Sequence, residues 1–311
     1  MPTGALPLMQ AANGTDTLLK QGFVNTIIRE SAIAGMIPWI TIMSDSIKHR
    51  EEVSLPNPVW RDVNETYTKS WGQTAEYYWG VTILGGEVEI DNFLLRVMGN
   101  KINQKADQFR LWAKAIGLTL DKQIIDGTGT AKDFKGINQI ITDGRGQVSY
   151  AGANGATLTL DMLDVAYDLM LGQHNPRKMW LNRTLARKIW NLGRSTAVGY
   201  PLIDITTNSF GERVTHYAGM EMAIVEHDIS GSAILGFDET RGTSAVTSSI
   251  YMAAVGDNGV TGLLGAGGAF DVVDFGEQES APSHLGRVEL YPGLAVWDQY
   301  SVVRLAGITN T

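Results

Sequence analysis

The chain has 311 residues, 44 % of them hydrophobic and 19 % charged, with a net charge of −8 and no cysteine. That composition excludes wholesale disorder, a disulfide framework and any cysteine-ligated metal. The acidic balance argues against an electrostatic nucleic-acid binder, because the densest basic stretches are Lys48-His49-Arg50, cancelled by Glu51-Glu52, and 183–194, spread along a helix.

No apolar run approaches the roughly 18 residues of a membrane span. Residues 1–10 lack the basic-then-apolar pattern of a signal peptide. Charge content lies below that of ordinary soluble domains, as expected of a chain that hides extra surface against partners.

Residues 1–30 read as a polar arm leading into a short helix. Asn13-Gly14-Thr15-Asp16 supplies a turn with cap residues, and Leu18, Leu19, Phe23, Ile27 and Ile28 follow at helical spacing. Residues 32–47 form a short apolar segment broken by Pro38. Partial alternation over 48–90, with β-branched and aromatic residues, predicts an extended two-stranded excursion. Trp60, Trp71, Tyr77, Tyr78 and Trp79 crowd into it. An isolated ribbon has little core in which to bury them, so they are candidate contacts with another subunit. The alternative is that the strands lie on the main body.

The strongest helical signal covers 91–126. Ile102, Ala106, Phe109, Ala113, Ile116, Leu120 and Ile124 recur at three- and four-residue steps, with Asp91-Asn92 as a cap and Asp126-Gly127 as a stop. One continuous helix of that span reaches roughly 50 Å. A glycine-punctuated linker follows. A second helix opens at 157–160 and runs to about Gly172, a strand covers 176–182, and a third helix covers 184–192, capped by Asn182 or Thr184. Strands are expected at 219–227, 249–255, 269–275, 286–291 and 294–305. The fold class is α+β, with helices early and mid-chain and strands dominating the end.

Chemical motifs are scarce. The histidines are His49, His174, His216, His227 and His284, with no zinc-protease spacing. Glu226-His227-Asp228 reads as a strand-end turn, because neighbours on a strand face opposite ways. Asp161, Asp164 and Asp168 read as a solvated helical face, and Glu87, Glu89 and Asp91 as the outer face of a half-buried strand. The glycine-rich 262–268 (GLLGAGG) does not fit a dinucleotide loop, no phosphate-loop or nucleophile-elbow motif occurs, and 127–130 reads as a helix-ending turn. No catalytic, cofactor-binding or metal residue is assigned, and the chain is not expected to be an enzyme.

Three stretches carry a resemblance: 55–61 (LPNPVWR), 127–137 (GTGTAKDFKGI) and 293–308 (GLAVWDQYSVVRLAGI). With the order of elements, they resemble the major capsid protein of tailed bacteriophages, the Hong Kong 97-type fold, in its branch of short podovirus-like coat proteins. The resemblance implies an N-terminal arm at 1–30 and a lead-in to a peripheral domain at 31–47. An extended β loop follows at 48–90, then the spine helix and peripheral domain at 91–149. It also implies an axial domain at 150–275 and strands returning to the peripheral domain at 276–311.

The function so implied is self-assembly into the icosahedral shell of a virion, built from pentamers and hexamers in the host bacterial cytoplasm. A portal, a separate scaffolding protein and a possible decoration protein are the implied partners. No cleaved leader is expected, since only 1–30 precede the first fold cue. Packaged DNA is expected to be contacted weakly, because tight phosphate binding would oppose its sliding. Some family members weld subunits through lysine and asparagine. Lys69 lies in the loop, but no asparagine partner can be placed, so no crosslink is expected. Two alternatives are an encapsulin shell, whose cargo-docking helix 18–28 could imitate, and an α+β enzyme with a dispersed active site.

Overall fold

The computed structural model describes residues 26–27, 30–97, 101–130, 132–171, 176–195, 203–207, 213–265 and 271–310. The helix expected before Ile27 lies outside the described residues. The chain first forms β1 (Trp39–Thr41), β2 (Ser46–Ser54), β3 (Gln73–Gly80) and β4 (Leu84–Asp91). Two helices follow, α1 (Asn92–Val97) and α2 (Lys101–Asp126). The middle holds α3 (Ile137–Thr142), β5 (Gln147–Tyr150), β6 (Ala156–Thr157), α4 (Leu160–Asp168), β7 (Arg177–Leu181) and α5 (Arg183–Ser195). Then come β8 (Ile203–Thr207), β9 (Arg213–Tyr217), β10 (Met220–Ile224), β11 (Glu239–Arg241), β12 (Ser244–Ala254) and β13 (Val260–Leu264). The last strands are β14 (Asp271–Glu277), β15 (Ser283–Leu290), β16 (Pro292–Val296) and β17 (Val302–Thr309).

A large mixed sheet orders its strands β5-β17-β12-β7-β10-β9-β8, with β6 and β11 attached to β17 and β12. Its centre is buried on both faces, so β12 reads as a continuous buried run from Thr247 to Ala254 rather than an alternating one. Alternate side chains divide between two cores. Met179, Leu181, Ile250, Met252 and Leu305 pack under α4 and α5. Trp180, Tyr251, Ala253 and Val302 join the other core, with α2, α3 and the smaller sheets. Those smaller sheets are β1-β13-β16 and β14-β15-β4.

Local chemistry explains the helix ends. Thr159 accepts the N–H of Met162 and starts α4, and Asn182 Oδ1 accepts the N–H of Leu185 at 2.8 Å and starts α5. The apolar stripe of α2 buries Phe109, Ala113, Ile116, Leu120 and Ile124.

The structure departs from the sequence expectations in two places. The excursion does not run to residue 90: β4 leaves the ribbon and pairs with β15 from Leu84↔Leu290 to Asp91↔Ser283. The helix expected over 91–126 is described in two pieces, α1 and α2, with 98–100 outside the described residues, and the 26 residues of α2 span roughly 39 Å. The terminal strands separate. β15 joins β4 and β16 joins β13, while β17 lies between β5 and β12 in the large sheet. The cause is a turn at Asp298, which accepts the N–H of Tyr300 on its side chain and that of Ser301 on its carbonyl. In the glycine-rich 262–268, Gly262, Leu263 and Leu264 are strand, and 266–268 lie outside the described residues. Gly262 sits in the buried β13, where a Cβ would stand 2.4 Å from the Trp39 ring.

Asp121 of α2 clamps the turn that precedes β1. It accepts the Ser31 hydroxyl and the N–H groups of Ala32 and Ile33, the latter two at 2.8 and 3.1 Å. Burial pushes its pKa up to about 6, against the pull of those donors. The folded chain therefore favours the protonated form more than the unfolded chain does. The cost of the buried charge is full at neutral pH and lifts as pH falls through about 6. Relative to Asp121→Asn, the parent chain should gain about 1 kcal/mol of stability between pH 7 and pH 5. Denaturant midpoints at the two pH values check this, and parallel profiles would contradict it.

Candidate assembly interface

β2 and β3 pair with each other and, among the described residues, with no third strand. Beyond this ribbon the chain continues through 55–72 without a ladder. Pro56 and Pro58 lack the N–H that a ladder needs and hold their predecessors extended. The bonds of the tip are local. Ser70 Oγ donates to the Asn57 carbonyl at 3.0 Å, the Asp62 N–H to Glu65 at 3.0 Å, and the Arg61 guanidinium lies 5.0 Å over the Tyr67 ring. Every residue of 52–74 is exposed. Trp60 is 102 % exposed and Trp71 77 %, with Leu55, Val63 and Tyr67 beside them in the same state. Large apolar side chains exposed together in one segment make it a candidate interaction site.

The root of the finger is fastened to the body by one arginine. α3 ends in a Schellman turn: Gly144 takes φ +84°, its N–H donates to Ile141, and the Arg145 N–H reaches back to Ile140 at 3.0 Å. That turn sends the Arg145 side chain beneath the ribbon. Its guanidinium pairs with Glu51 of β2 at 2.6 Å and stacks 3.6 Å from the Tyr77 ring and 5.4 Å from the Trp79 ring of β3. It also donates to the Val296 carbonyl of β16 at 3.1 Å. His49 adds an edge-to-face contact with Trp297 at 5.2 Å.

The acidic groups weighed in the sequence have other duties. Glu87 pairs with Arg287 at 3.2 Å, and Glu89 accepts the Ser283 hydroxyl at 2.5 Å. Asp228 lies in a turn that bonds Ser230 and Ser232 and pairs with Lys122 at 2.6 Å. Lys122 and Ser230 hold its carboxyl well below the usual range. Asp161, Asp164 and Asp168 lie on the exposed face of α4. Among the described residues no group of three or more His, Asp or Glu is placed to hold a metal ion.

No protein-family model matches the chain, and no curated protein matches it in sequence. Solved structures do match in shape. The holo-SrpI encapsulin complex from Synechococcus elongatus aligns with a TM-score of 0.64 at 16 % identity, over 89 % of this chain and 86 % of that one. A chain from Mycobacterium phage Bobi aligns at 0.60 and 10 % identity, over 90 % of each chain. The capsid of the native GTA particle aligns at 0.59 and 12 % identity, over 90 % of this chain and 91 % of that one. The chain has the Hong Kong 97-type shell fold.

Within this Hong Kong 97-type chain the expected contact residues divide. Trp60, Trp71, Tyr78 and Lys69 are exposed. Trp79, 6 % exposed, and the half-buried Tyr77 are not free for a neighbour, because they belong to the home core. The reason is the period of two. In β3, Ala75, Tyr77 and Trp79 face the body while Glu76 and Tyr78 face away. That alternation was readable in the sequence. Arg145 was not singled out, and its partners are too distant along the chain for any local pattern to show them.

Removing Arg145 strands the Glu51 carboxylate at a partly buried root. Arg145→Ala should cost about 3 kcal/mol, whereas the apolar pair Glu51→Leu with Arg145→Met should cost less. Denaturant midpoints of the dissociated chains check both values, and an Arg145→Ala chain as stable as the parent would contradict the anchoring role.

Proposed function

We propose that this chain is the coat subunit of a tailed-bacteriophage head, assembling with copies of itself into an icosahedral shell around double-stranded DNA. The observation that carries the reading is the finger. A segment of roughly the length that one side of a standard protein interface uses, about 20 residues, is exposed throughout and bears two tryptophans. A partner copy supplies the missing burial. Heterologous contacts of this kind close into rings and lattices.

In this reading 1–30 is the arm, and the extended loop is the ribbon and tip between Ser46 and Gly80. α2 is the spine of the peripheral part, and the large sheet with α4 and α5 is the axial part. β17 belongs with the axial part, not with the peripheral strands. The portal and a separate scaffolding protein are the expected partners, with a decoration protein as a further one. DNA is held weakly by an acidic wall. No catalytic role is assigned.

An encapsulin shell is the second reading, favoured by the likeness to the Synechococcus structure. The contents separate the two: particles filled with nucleic acid support the coat, and particles filled with one protein support the encapsulin. Negative-stain microscopy of the purified chain tests both against a monomeric protein.

Trp60→Ala and Trp71→Ala should each weaken assembly by about 2 kcal/mol or more per contact. Melting of the dissociated chain should move by no more than about 0.5 kcal/mol. Trp79→Ala should instead destabilise the dissociated chain itself by about 3 kcal/mol. Sedimentation for assembly and denaturant titration for stability separate the two effects. Unimpaired assembly in both finger variants would remove the finger from the interface.

A further inference from the structure

α5 is an amphipathic helix whose buried side, Leu185, Ala186 and Ile189, packs on the large sheet. Its outer ridge is basic. Arg183, Arg187 and Arg194 stand at steps of four and seven, within about 40° of one another around the axis and over roughly 16 Å of its length. The helix carries no acidic residue to balance them. Arg183 pairs with Glu226, but among the described residues no carboxylate lies within ion-pair distance of Arg187 or Arg194. α4 lies on the same face of the same sheet, with Leu163 and Ala166 in the shared core. Its outer ridge is acidic: Asp161, Asp164 and Asp168, at steps of three and four, cover roughly 10 Å. Asp164 is held by the Tyr217 hydroxyl at 2.8 Å. No ion pair joins the two ridges among the described residues.

We propose that the basic ridge of α5 in one copy docks against the acidic ridge of α4 in the next, a heterologous contact that sets the register of the ring. The inference rests on the shell reading and names a contact separate from the finger. A head-to-tail interface needs two unlike, complementary patches on one chain. Two exposed ridges of opposite sign on one sheet face meet that need. Nucleic acid is the poorer occupant. The chain as a whole carries a net charge of −8, which opposes the approach of a long phosphate backbone.

The test reverses each ridge and then swaps both. The variants are Arg187→Glu with Arg194→Glu, Asp161→Lys with Asp168→Lys, and all four together. Asp164 is left alone because it holds Tyr217. All four positions are exposed, but Asp161 lies in the first turn of α4 and Arg194 in the last turn of α5, where reversal opposes the helix dipole, so the dissociated chains should lose no more than about 1 kcal/mol per reversal at those two sites. Each single-ridge reversal should raise the chain concentration needed for particle formation by about tenfold or more, and the swap should restore it toward the parent value. The parent should also need a higher concentration as salt rises.

Normal assembly of either reversed chain overturns the proposal, as does failure of the correctly folded swap to recover. If Arg187→Glu with Arg194→Glu assembles normally but retains less nucleic acid in its particles, the ridge serves phosphate and the proposal falls. A parent chain that forms no shells, rings or smaller oligomers at any concentration overturns the shell reading instead, which keeps the two failures apart.

Discussion

A two-stranded ribbon has two faces and no second layer, so an apolar side chain beyond its root has nothing of its own chain to pack against. At the root the body supplies that layer: Tyr77 and Trp79 close over Arg145 and the core behind it. Past Glu51 the body ends and the exposure is continuous. Trp60 and Trp71 therefore sit in water among the described residues, at a cost that burial against another surface would recover. The local bonds of the tip give it a shape without giving it a core. A shaped, coreless projection is pre-organised for a complementary surface, and less ordering entropy is lost on docking than for a disordered tail.

What makes such a projection usable is a root that does not move. The connection runs through α2 and α3. Ile116, Leu120 and Ile124 of α2 share a core with Ile137, Ile140 and Ile141 of α3. α3 ends in the turn that throws Arg145 under the ribbon. The flanks of α2 tie in other parts of the chain. Asp121 holds the turn before β1, Lys122 reaches Asp228, and Gln123 donates to the Phe134 carbonyl at 2.8 Å. Three successive residues of one helix thus fasten three separate segments. The helix is a strut because of these polar ties as much as its apolar stripe. An α-helix presents a new direction every residue, so consecutive side chains can serve different neighbours.

The periodic features were legible in the sequence and the relational ones were not. The apolar stripe of α2 and the strand at 177–181 follow from periods that any window shows, and the Asn182 cap precedes a visible helical pattern. The exposed tip was legible in a different way, since tryptophans beside Pro56 and Pro58 have no local partner to pack on. The error at Tyr77 and Trp79 came from treating the excursion as one environment, when alternation already set those two against Tyr78. The need for glycine at 262 is likewise invisible until Trp39 is placed against it. The partition of 276–311 among three sheets depends on pairing with β4, β13 and β12, all remote in sequence. Such pairing leaves no trace in a window of neighbours.

The two surfaces left unsatisfied by the single chain differ in kind, and the difference assigns them different work. The finger is apolar and aromatic, and its burial yields free energy without specifying angle, because the hydrophobic effect is non-directional. The ridges of α4 and α5 are charged and exposed. Such pairs add little net affinity, but they penalise every arrangement that sets like against like. A closed shell needs both. Adhesion alone permits many relative orientations of equal energy, most of which do not close. Register alone cannot hold subunits together against the entropy of association. A chain that sets exposed charge of opposite sign on two helices of one sheet face, and two exposed tryptophans on one finger, offers separate parts of the fold for the two requirements.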